Sequence, residues 1–81
     1  MATPGAMKLI RAVGEDLLPA LLERHQSGDW GDVPKEDALK NEFSVRYGFR
    51  IVSSYWVAGE RLWIITEADR STTTLLLPSE C

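Results

Sequence analysis

The stretch Arg50–Pro78, RIVSSYWVAGERLWIITEADRSTTTLLLP, constrains the fold of this chain most. It contains three short runs rich in β-branched and aromatic residues, and each is bounded by turn chemistry. Arg50–Ala58 carries Ile51, Val52, Tyr55, Trp56 and Val57. Ala58-Gly59-Glu60 makes a short hairpin connection. Leu62–Ala68 is the second run, and Asp69-Arg70-Ser71 is a polar break whose Asp and Ser side chains bond their own backbone. Thr72–Leu77 is the third run, and Pro78 stops it by removing a donor. Connections this short force neighbouring strands to pair antiparallel, which predicts a meander.

Side chains alternate across a strand, so Ile51, Ser53, Tyr55 and Val57 share one side of the first run, opposite Arg50, Val52, Ser54, Trp56 and Ala58. On the second run Leu62, Ile64, Thr66 and Ala68 oppose Trp63, Ile65 and Glu67, and on the third Thr73, Leu75 and Leu77 oppose Thr72, Thr74 and Leu76. Neither face is wholly polar. One must lie under helices, and the apolar groups of the other suggest a partner surface or a further covering element.

The preceding residues read as helices. Thr3-Pro4 is a start signal, with Thr as N-cap and Pro at the first helical position. Ala6, Met7, Ile10 and Val13 follow at helical spacing until Gly14. Asp16 is placed to cap a second helix with Pro19 in its first turn, and Leu17, Leu18, Leu21 and Leu22 form its apolar stripe. One helix kinked at Gly14–Pro19 is the competing reading. Gly28 closes the segment in a left-handed conformation. Gly28–Asp32, GDWGD, is a tight loop with Trp30 folded back as a plug. Pro34 opens a third helix, Glu36 and Asp37 favour its positive end, Leu39 and Phe43 form its apolar face, and Gly48 ends it. The expected class is α+β: two or three N-terminal helices, then a three-stranded antiparallel meander.

The 81 residues make one domain with a modest core. A net charge of −3 argues against nucleic acid as the main ligand. The single cysteine, Cys81, can form no internal disulfide and is expected to fray at the terminus. No run approaches a membrane span, and no signal-peptide pattern opens the chain, so a cytoplasmic location is expected.

Four groups of residues carry candidate chemistry. His25, the only histidine, is a candidate general acid or base with Arg24 or Arg70 on a phosphate, or a capping residue at a negative helix end. Without a second His or a nearby Cys it makes no zinc site. Asp29, Asp32, Glu36 and Asp37 lack the spacing of a calcium loop and suit capping and turn duties, so neither metal nor cofactor is expected. Glu67, Asp69, Arg70, Ser71, Thr72, Thr73 and Thr74 cluster at one end of the sheet, either for phosphoester chemistry or as a turn with a salt bridge. Tyr55, Trp56 and Trp63 lie on paired strands and divide between core and contact surface.

Two motifs, RHxxGDWGD at Arg24–Asp32 and ITEADRSxTTxLLP at Ile65–Pro78, resemble a family of small, mostly uncharacterised proteins carried by plasmids and phages. The resemblance extends to Thr3-Pro4-Gly5-Ala6, Glu36-Asp37, Asn41-Glu42 and Ser54-Tyr55. This chain ends Pro78-Ser79-Glu80-Cys81, where that family favours a final Tyr. The genomic setting implies a non-enzymatic factor that binds a protein, such as an anti-CRISPR or anti-restriction inhibitor of a host defence complex. Its contact residues would be Tyr55, Trp56, Trp63, Glu67, Asp69 and Arg70. The alternative is a small ribonuclease resembling the barnase–RelE group, with His25, Arg70 and Thr73 (or Thr74) around one cleft. A homodimer burying the open sheet face is a third possibility.

Overall fold

Ala58 and Gly59 both have positive φ, 51° and 79°, and reverse the chain in two residues. This mirror-image turn matches the right-handed twist of the strands it joins. It fixes the register between Ile51–Val57 (β1) and Glu60–Thr66 (β2), pairing Val57 with Glu60, Trp56 with Arg61 and Ser54 with Trp63. A second turn closes with the Glu67 amide donating to the Thr72 carbonyl. It leads to Thr73–Leu76 (β3), which pairs with β2 from Thr66↔Thr73 to Trp63↔Leu76. The sheet order is β1-β2-β3, all antiparallel.

The computed structural model describes all 81 residues. Three helices precede the sheet: Pro4–Val13 (α1), Leu17–Gln26 (α2) and Lys35–Tyr47 (α3), and a 3-10 turn at Pro78–Glu80 follows it. The architecture is thus the α+β class expected, with α1 and α2 as separate helices. Thr3 caps α1 by accepting from the Ala6 amide. Asp16 precedes α2 but makes no capping bond; its backbone is itself helical, which turns the carboxylate away from the orphan amides. The second strand ends at Thr66 rather than Ala68, because Glu67 and Ala68 turn with Arg70, whose φ is +64°.

Alternation places one sheet face under α1 and α2. Ala6, Leu9 and Ile10 of α1 and Leu21 of α2 meet Tyr55, Val57, Leu62, Ile64 and Leu75 in one buried cluster. Each fully buried aliphatic side chain there contributes about 1.5–3 kcal/mol of transfer free energy.

Both edges of the sheet are closed by the chain itself. Along β3, the Leu75 amide donates to the Met1 carbonyl at 2.9 Å and the Thr3 amide donates to the Leu75 carbonyl at 3.0 Å. Glu80 holds this arrangement, accepting from the Thr3 hydroxyl (2.5 Å) and from the amides of Gly5 (2.9 Å) and Leu77 (3.0 Å). The C-terminal turn is therefore docked on the start of α1, and Cys81 beyond it is an exposed free thiol. A carboxylate beside a helix N-terminus is favourably placed in the field of the helix.

Along β1, residues of even number point their backbone groups outward. Ser54 donates to the Trp30 carbonyl at 3.0 Å and accepts from the Asp32 amide at 2.7 Å. At Val52, the side chain of Asn41 does the work of a neighbouring strand: Oδ1 accepts from the amide at 3.1 Å and Nδ2 donates to the carbonyl at 2.7 Å. Unpaired strand edges template aggregation, and here two adjacent outward positions are sealed.

This bonding overturns the expectation for α3. Asn41 and Ser44 are its buried residues, while Leu39 and Phe43 are 60% and 53% exposed. A row of unmet donors and acceptors on β1 demands a polar partner, so the polar side of the helix turns inward and the apolar stripe turns out.

Two substitutions test the sealed edge in urea unfolding. Gly31 has φ +73°, and a Cβ there would stand 2.2 Å from the Ser54 carbonyl oxygen; Gly31→Ala should cost about 2 kcal/mol or more. Asn41→Ala, which orphans the Val52 amide and carbonyl, should cost about 1–3 kcal/mol. Leu39→Ala, on the exposed side of the same helix, should stay within about 0.5 kcal/mol. An Asn41→Ala effect no larger than that of Leu39→Ala would contradict the edge assignment.

Candidate functional site

Four polar constellations surround the sheet, and each recruits residues singled out in the sequence. The first is internal. His25, in the last turn of α2, is 5% exposed and reaches the helix-covered face. Its Nδ1 lies 2.6 Å from the Ser53 hydroxyl and its Nε2 lies 2.8 Å from the Thr66 hydroxyl. Thr66 in turn stands 2.9 Å from the Thr73 hydroxyl. A neutral imidazole has one donor and one acceptor nitrogen, and hydroxyls serve either role, so this chain of four side chains is satisfied without charge. Burial pushes the His25 pKa below its ordinary value. Protonation would make both ring nitrogens donors, so the hydroxyls of the wholly buried Ser53 and of Thr66 would both have to accept.

The second constellation is the Gly28–Asp32 loop. Asp29 accepts two bonds from Arg24, at 2.7 Å to Nε and 3.2 Å from the second nitrogen, and one from the Gly31 amide. The Arg24 hydrogen bond, with that amide, holds the Asp29 carboxyl below the usual carboxylate range. Trp30 is buried as the plug expected, with its ring edge-on to His25 and its indole N–H donating to Glu42 at 3.1 Å. Tyr55, expected among the contact aromatics, belongs to the core at 2% exposure. It faces α1 and α2, and its hydroxyl donates to the Asp29 carbonyl at 2.5 Å. Burial raises its pKa.

The third constellation lies on the open face. Trp56 is 57% exposed. Its indole N–H donates to the Asp32 carboxylate at 2.5 Å, and the Arg61 guanidinium sits 4.4 Å from its ring centroid. Arg61 also donates to the Asp32 carbonyl (3.0 Å), the Asp32 carboxylate (3.2 Å) and the Ser54 hydroxyl (2.9 Å). From this corner a groove of about 590 Å³ runs between the sheet and α3. Val52, Trp63 and Ile65 form its floor, Asp37, Lys40 and Asn41 its helical wall, and Cys81 reaches it from the C-terminus. Trp63, half-buried, thus stands on the open face.

The polar cluster after β2 resolves into a turn and a clamp. Asp69 accepts from the amide and hydroxyl of Ser71, and these bonds lower its pKa. Glu67 pairs with Arg50 across the strands at 3.1 Å. Arg70 donates to the carbonyls of Phe49 (2.7 Å), Ser44 (2.9 Å), Glu67 (3.2 Å) and Ala68 (3.3 Å). It therefore closes the C-terminal end of α3, where a cation meets the negative end of the helix. Of the ribonuclease set, His25 and Thr73 share Thr66 as a common partner, while the bonds of Arg70 all go to main-chain oxygens.

Arg61 escaped the sequence reading, although the two-residue turn implies it: pairing Val57 with Glu60 sets Trp56 directly opposite Arg61. Asn41 left no such signal, since its role depends on which side of α3 meets β1. No three His, Cys, Asp or Glu side chains converge on a metal-sized site, and no helix is long and apolar enough to cross a membrane. No family model, curated protein or solved structure matches the chain.

The buried imidazole makes stability pH-dependent with a definite sign. Because its folded pKa lies below the ordinary 6.5, the unfolded state takes up the proton first as pH falls. Stability should be full above about pH 6.5 and decline below it, by at most about 1.4 kcal/mol per pH unit, until the folded pKa is reached. Urea titrations between about pH 7.5 and 5.5 should show this slope in the wild type and lose it in His25→Gln. A flat wild-type profile would place the imidazole in water.

Proposed function

We propose that the chain is a protein-binding factor that acts by stoichiometric association through the open sheet face. The observation that carries the reading is the groove beside α3. Its apolar floor of Val52, Trp63 and Ile65 is only half-buried beside α3, and the exposed Trp56–Arg61 stack stands at its mouth. Tryptophan and arginine are the residue types that most often dominate the energy of a protein interface. Their mutual stacking, with Asp32 and Ser54 as anchors, fixes both side chains before any partner arrives, which lowers the ordering cost of binding. Glu67 and Asp69, the acidic groups of the expected contact set, lie outside the lining of the groove, paired with Arg50 and bonded to Ser71.

The partner class comes from the resemblance to small plasmid- and phage-borne proteins: a subunit of a host defence complex, of the CRISPR or restriction kind. In this reading His25 is a structural residue and Arg70 a clamp. The ribonuclease reading keeps one favourable observation, the hydroxyl chain that joins His25 to Thr73 through Thr66.

A titration separates the two. Purified restriction and CRISPR effector complexes should lose activity in proportion to added protein, with inhibition saturating at a fixed ratio. Trp56→Ala should weaken that inhibition about tenfold or more, with the circular dichroism melt unchanged, and His25→Gln should retain it. Failure to associate with any complex of such a panel would overturn the reading. Turnover of RNA at sub-stoichiometric protein, abolished in His25→Gln, would replace it with the nuclease.

A further inference from the structure

We propose that the chain also self-associates, as a two-fold dimer in which α3 packs antiparallel against α3 of a second copy. The surface concerned lies across the Lys40–Arg50 ridge from the groove, and the proposal stands apart from the reading of that groove. Leu39, Phe43 and Tyr47 recur every four residues along α3, and all are more than half exposed. Phe49 extends the stripe beyond the helix, stacked on Phe43 at 5.6 Å, while Tyr47 meets Phe43 at 4.5 Å on the other side. The central ring is thus held in place before any contact, so docking orders little that is free.

The charges identify the occupant. About Asn41 four of the six charges of α3 are antisymmetric: Glu36 and Arg46 stand five residues to either side, and Lys40 and Glu42 one residue to either side, while Lys35 and Asp37 have the uncharged Tyr47 and Val45 as counterparts. A two-fold axis level with Asn41 brings residues equally far from it to the same height. Glu36 of each copy then stands level with Arg46 of the other, about 7.5 Å from the axis along the helix. The same operation sets Leu39 level with Phe43 of the second copy, twice. A parallel pairing would instead set acid beside acid and base beside base, with the two helix dipoles aligned. Self-complementarity of this kind is what an isologous interface requires.

The area sets the strength. Three half-exposed aromatic rings and one leucine, at about 100 Å² each, bring about 400 Å² of apolar surface per copy. A standard interface takes about 800 Å² per partner, so the dimer is weak, with its rim supplied by charged side chains.

Sedimentation equilibrium from about 5 µM to about 1 mM should show a monomer–dimer equilibrium with Kd in the micromolar range. Phe43→Glu should be monomeric throughout, with an unaltered melt because Phe43 is exposed. Glu36→Arg or Arg46→Glu alone should weaken dimerisation at least fivefold, since each sets like charges together twice. The Glu36→Arg, Arg46→Glu double variant should return to within about twofold of wild type. A wild type still monomeric at about 1 mM overturns the proposal, and so does a dimer that survives Phe43→Glu. A double variant no tighter than the single ones overturns the antiparallel register.

Discussion

The outward edge of β1 is the constraint on which the structure depends. Val52 and Ser54 present two amides and two carbonyls with no strand beyond them. Buried backbone groups left unpaired would each cost about 1–3 kcal/mol. The chain answers with two devices of different origin. At Ser54 a short piece of backbone, Trp30 to Asp32, pairs as a single parallel bridge. At Val52 the carboxamide of Asn41 mimics a peptide group, offering one donor and one acceptor at the spacing a strand would.

Much of the remaining architecture follows from these bonds. The bridge demands a residue without Cβ at position 31, because the Ser54 carbonyl and the Tyr55 ring stand where that carbon would go. With Gly31 seated there, Trp30 closes over His25, and Tyr55 reaches the Asp29 carbonyl. The Asn41 bond fixes which side of α3 faces the sheet, and Arg70 fixes its far end through the carbonyls of Ser44 and Phe49. A helix held by polar contacts at both points has no need to bury its leucine and phenylalanine. Its apolar stripe is thereby left on the surface, and the sheet beside it stays open as a groove.

The strands were legible in the sequence because their signals are local. A period of two, a turn at Ala58-Gly59 and a stop at Pro78 define the meander and sort its faces without reference to the rest of the chain. The caps at Thr3 and Gly48 are likewise short-range. What escaped was set by contacts distant in sequence. Leu39 and Phe43 match the pattern of a buried helical face, and only the hydrogen-bonding demand of β1 shows why the opposite side wins. Tyr55 reads equally well as core or contact; its place under α1 and α2 follows from which face those helices cover. The docking of Glu80 left no local signal because its partners, Thr3 and Gly5, lie at the opposite terminus. His25 illustrates the same limit: a lone histidine after Arg24 suggests either chemistry or a cap, and the structure gives it a third role, joining α2 to β1 and β2 through hydroxyls.

The central claim, that Asn41 and the Trp30–Asp32 segment together complete the outer edge of β1, is accessible to amide hydrogen exchange resolved by residue. The account predicts that the Val52 and Ser54 amides exchange as slowly as those inside the β1–β2 ladder, while the Trp56 amide, next in the outward series, exchanges fast. In Asn41→Ala, Val52 should lose protection before Ser54 does. Rapid exchange at Val52 and Ser54 in the wild type, at the rate of Trp56, would contradict it: the edge would then be open, and the orientation of α3 would need another cause.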